Sequence, residues 1–75
     1  MNEGEEEKKL SLLLAHWIEH NKEHAQDFKR WADKAKTFDG LVYEELIDAV
    51  KHVEEVNESL SNALKRMNIK YEGKR

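Results

Sequence analysis

The sequence predicts an all-α protein, an antiparallel two-helix hairpin that self-associates into a four-helix bundle. Three observations carry this. Apolar positions recur in alternating steps of four and three along two long stretches. A single short break, Thr37-Phe38-Asp39-Gly40, separates them. The two stretches also match in reverse order, so that opposed residue numbers total 77 or 78 along their whole length.

The first helix is predicted over about 5–37. Its seam runs Leu10, Leu14, Trp17, Asn21, His24, Phe28, Trp31 and Ala35. The turn follows at 38–41, where Gly40 is expected to close the first helix in a left-handed conformation and Asp39 or Thr37 to cap the second. The second helix is predicted over about 42–68, with the seam Leu46, Val50, Val53, Asn57, Leu60, Leu64 and Met67. A basic tail at 69–75 completes a single domain. Short connections make helices antiparallel neighbours. Pairing the seams in that sense sets Asn21 opposite Asn57, a polar layer of the kind that fixes register or oligomeric state.

A lone hairpin cannot finish this core. Further apolar residues flank the seams, with Leu13, Ala49 and Val56 on one side and Ile18, Ala25, Ala32 and Ile47 on the other. Two hairpins packed with twofold symmetry supply the missing cover, so the expected partner is a second copy; a different protein's helix is the alternative.

Composition narrows the function classes. Seventy-five residues without a cysteine exclude disulfides and thiolate metal sites, leaving metal or self-association as staples and the cytoplasm as the expected compartment. Charged residues make up 39% of the chain, too many for a membrane span. A net charge of −3 argues against a general nucleic-acid binder. The acids Glu3, Glu5, Glu6 and Glu7 open the chain, and Lys65, Arg66, Lys70, Lys74 and Arg75 close it, which suits the two ends of helix dipoles.

The chemistry lies in a repeated phrase, His16-Trp17-Ile18-Glu19-His20 followed by His20-Asn21-Lys22-Glu23-His24. Spacing of four turns three histidines toward neighbouring parts of one helix surface. The hairpin register brings the fourth, His52, level with residues 25 and 26. The expected metal site therefore draws on His20, His24 and His52, with His16, Glu23 or Asp27 completing or supporting it. Nitrogen and oxygen ligands in that number suit a divalent transition metal, Zn(II) or Ni(II) first. The competing expectation is a structural or protein-interaction module without metal. In it, His24 packs beside Trp17, Phe28 and Val53, His52 pairs with Asp48, and the Asn and His layers specify association.

No enzyme is expected. His16-Trp17-Ile18-Glu19-His20 matches the H-x-x-E-H pattern of inverted zinc peptidases, yet those need a distant third ligand and a substrate cleft in a far larger fold. A ferritin-like diiron centre needs Glu-x-x-His pairs. The positions three before the histidines are Leu13, Trp17, Asn21 and Ala49. There is also no Gly-rich phosphate loop or cysteine nucleophile.

From Leu14 through His16-Trp17-Ile18-Glu19-His20-Asn21 to His24, Phe28 and Trp31, the chain resembles short uncharacterised prokaryotic helical proteins that carry an H-W-I-E-H-N-x-x-H phrase. The resemblance covers the first helix. It implies that the phrase holds the functional residues and carries no activity with it.

Overall fold

The computed structural model describes residues 3–73 and consists of two helices, α1 (Glu3–Ala35) and α2 (Gly40–Gly73), packed side by side. The particle measures 56 × 19 × 14 Å, so it is one hairpin long and two helices wide. α1 ends at Ala35, the last seam residue and two residues short of the predicted 37, and α2 runs on through residues assigned above to a tail. Lys74 and Arg75 of that tail lie outside the described residues.

Side-chain and backbone capping make the turn, without a left-handed residue. The Thr37 hydroxyl donates to the Lys34 carbonyl at 2.8 Å, while the Phe38 and Asp39 amides donate to Ala35 at 2.9 and 2.7 Å. These bonds satisfy carbonyls that a helix end leaves open. Asp39 then caps α2, its Oδ1 accepting from the amides of Leu41 at 3.0 Å and Val42 at 3.3 Å. Gly40 is the first residue of α2 and no glycine has positive φ among the described residues, which corrects the expected left-handed closure. With Thr37 serving α1 and Asp39 serving α2, the chain reverses without a positive-φ residue.

On α2 the half-buried or buried positions include Leu46, Val50, Val53, Asn57, Leu60, Leu64 and Met67, the predicted seam. On α1 every second layer is as predicted, at Leu14, Asn21, Phe28 and Ala35. The alternate layers move by one residue, from Leu10, Trp17, His24 and Trp31 to Ser11, Ile18, Ala25 and Ala32. The cause is steric. Ala25, Ala32 and Ala35 are 7%, 0% and 2% exposed, and their methyl groups let the helices meet closely where an indole would wedge them apart. Trp17 and Trp31 instead lie on the flank, 40% and 55% exposed. One register now runs throughout, marked at its open end by Ser11 Oγ against Met67 Sδ at 3.8 Å.

The polar layer forms at its middle. Asn21 Nδ2 donates to Asn57 Oδ1 at 2.9 Å, and Asn57 Nδ2 donates to the Ile18 carbonyl at 3.0 Å. A slip of one residue would break both bonds and turn the alanine layer away from α2, so this network and the alanines enforce the same register.

Candidate metal centre

The two flanks of the hairpin differ sharply. Along one, Lys22 and Lys29 of α1 border a shallow groove with Ala25, Gln26, Val53, Glu54 and Asn57, and Lys29 Nζ reaches Glu54 at 3.8 Å. This flank is charged and solvated. Helical phase puts the other flank at Leu10, Trp17, His24 and Trp31 on α1, and at Val42, Ala49, Val56 and Ala63 on α2. Leu10, Val42 and Val56 are 42%, 42% and 50% exposed, and adjoining Leu13 is 38% exposed. Leu10, Trp17, Trp31, Val42 and Val56 are exposed apolar side chains along this flank, beside the imidazoles. The Lys34 ammonium covers part of it, sitting 4.7 Å from the centre of a Trp31 ring.

The histidines climb this flank as a ladder. Each step of four residues turns about 40° around the helix, so the row winds from the outer surface toward the seam. Ring centres are 5.7 Å apart for His16 and His20, 4.5 Å for His20 and His24, and 6.0 Å for His24 and Phe28, the last pair stacked at 25°. Phe28 is half-buried and anchors the row; the three imidazoles are exposed. His24 therefore lies outside the seam, contrary to expectation, because Ala25 takes that place.

Of the predicted ligands, the fold brings together His16, His20 and His24. It does not gather the rest around them. His52 is exposed on the same flank by helical phase, with Nδ1 3.7 Å from Asp48, the pairing expected of a solvated histidine. Asp27 pairs with Arg30 at 2.9 Å, and Glu23 is exposed. Among the described residues, no three His, Asp or Glu side chains stand where one hairpin could hold a metal ion.

The closest imidazole pair is His20 and His24. Nitrogens bound to one tetrahedral ion at ~2.0–2.1 Å are about 3.3 Å apart, a separation that two rings centred 4.5 Å apart can present at their edges. Sequence reasoning missed the lopsidedness of the flanks. The signal was present in the lysines at 8, 22, 29 and 36 facing one way and the tryptophans facing the other.

No solved structure matches the chain. No helix among the described residues is long and apolar enough to cross a membrane. An "Uncharacterized protein" of Archaeoglobus fulgidus is 37% identical over 57 residues, which cover 76% of this chain and 92% of the relative. The match of residues 10–67 to a family model takes in both seams, the turn and all four histidines. The chain belongs to the family described as Domain of unknown function (DUF8180).

Proposed function

We propose that the protein is a self-associating helical module in which two hairpins close a four-helix bundle over the tryptophan flank. One quantity carries this reading. Compact monomers of 8.9 kDa expose about 4800 Å² by the surface scaling of folded proteins, whereas this hairpin exposes 6133 Å², an excess of about 1300 Å² per chain. Obligate homodimers bury roughly 1000 Å² or more per partner, so one isologous contact is large enough to cover the excess. Sedimentation equilibrium tests it. The expected mass at micromolar concentration is twice that of the chain, and Trp17→Glu with Trp31→Glu lowers it to one chain. A wild-type monomer that keeps full helicity would sink the proposal.

The ladder favours a second reading, that the module binds a divalent transition metal such as Zn(II) or Ni(II) without catalysing a reaction. Exposed imidazoles on successive turns chelate in their neutral form without rearrangement of the backbone. Tag-free protein is expected to take up Zn(II) and a His20→Ala, His24→Ala variant to lose that uptake; equal uptake by both would refute the histidine site.

A further inference from the structure

We infer that the metal site is shared: the His20–His24 pairs of two chains meet on the dimer's twofold axis and together surround one ion. The inference rests on both readings above and adds the geometry that joins them.

An isologous antiparallel contact needs a surface pattern that reads the same in both directions about one level of the helix. On α1 that pattern exists. Leu13, His20, His24 and Trp31 fall within about 40° of one another around the helix, making a nearly straight stripe. His20 and His24 stand two residues either side of the level of Lys22, and Leu13 and Trp31 stand nine either side of it. The stripe lies about 110° around α1 from the seam, close to the quarter turn at which a four-helix bundle presents its second neighbour.

α2 repeats the pattern at the same level. The register that pairs Asn21 with Asn57 sets Val56 level with Lys22. Val56 lies on the apolar flank, and Ala49 and Ala63 stand seven residues either side of it on the same flank. One twofold axis therefore satisfies both helices. Leu13 of each chain meets Trp31 of the other, Val56 meets its own copy, and small alanines allow α2 to approach α2.

This axis also resolves the ligand shortage. A single hairpin supplies two close imidazoles, and among the described residues no group of three His, Asp or Glu stands where it could hold an ion. The second copy supplies two more at the same level, and four nitrogens complete the tetrahedral shell that Zn(II) prefers. Each imidazole binds as the neutral ring, so loading is competed by protons and releases them.

Calorimetric titration of Zn(II) into the tag-free full chain tests the shared site. The expected end point is one ion per two chains, and His20→Ala with His24→Ala weakens binding by more than the ~10–100-fold that loss of a supporting group costs. The chain has no cysteine, so Val56→Cys introduces a single thiol on the axis. Mild oxidation is expected to link that variant into a covalent dimer, whereas Lys22→Cys on the opposite flank stays unlinked. An end point of one ion per chain overturns the shared site and leaves the histidine reading standing. Absence of binding overturns both. Failure of Val56→Cys to cross-link overturns the axis.

Discussion

At the scale of single residues, the turn concentrates its stabilisation in Asp39. Its carboxylate accepts from two amides at the start of α2 that would otherwise be open, beside the positive end of the helix dipole. Asp39→Ala is expected to cost about 1 kcal/mol, within the ~0.5–2 kcal/mol range of lost N-caps, and urea denaturation of the variant measures it. Its neighbour Gly40 predicts the opposite sign. Gly40 is helical without positive φ, and a Cβ built there meets nothing within 4 Å. Gly40→Ala is therefore expected to stabilise by about 0.4–1 kcal/mol, mainly by restricting the unfolded chain. A loss of stability in the same denaturation series would show that the turn needs glycine after all. Exposed ion pairs add little by comparison. Lys22 with Glu19 and Lys29 with Glu54 are 3.6 and 3.8 Å apart on exposed side chains, in the class where contributions are small.

At the scale of the helices, existence, sense and register were legible because seven-residue spacing and a single break leave few alternatives. The α2 seam follows its aliphatic residues directly. The α1 seam was half legible, since hydrophobicity ranks tryptophan above alanine while a close helix contact favours the smaller side chain. Ala32, fully buried, marks where closeness decides. Ala32→Leu adds volume between the helices without a cavity to receive it and is expected to destabilise by ~1–3 kcal/mol, although it raises the hydrophobicity of the seam. Thermal denaturation followed by circular dichroism reads the sign; a higher midpoint would mean that the helices have slack at this layer. The histidine ladder was legible from spacing alone, because i, i+4 neighbours do not depend on tertiary structure. Where His52 sits relative to the ladder depends on side-chain phase across two helices as well as on level.

At the scale of the whole molecule, the hairpin is stabilised by few fully buried side chains. Leu14, Ala25, Ala32, Ala35 and Val50 are the buried apolar residues among those described, and three of them are alanines that bury little area each. A core of that size is small against the conformational entropy of ordering two long helices. In the proposed dimer, covering Trp17, Trp31, Leu10 and Val56 adds apolar burial that the lone hairpin lacks, which would couple folding to association. Such coupling predicts a melting temperature that depends on concentration. Each tenfold increase in chain concentration contributes about 1.4 kcal/mol to the dimer, and with ~2.1 cal/mol/K of unfolding entropy per residue the midpoint is expected to rise by about 4–5 °C. Circular dichroism melts over two decades of concentration measure the slope. A midpoint that stays fixed while the helices melt cooperatively would mean that the lone hairpin is the stable unit, and the tryptophan flank would then contribute nothing to its stability.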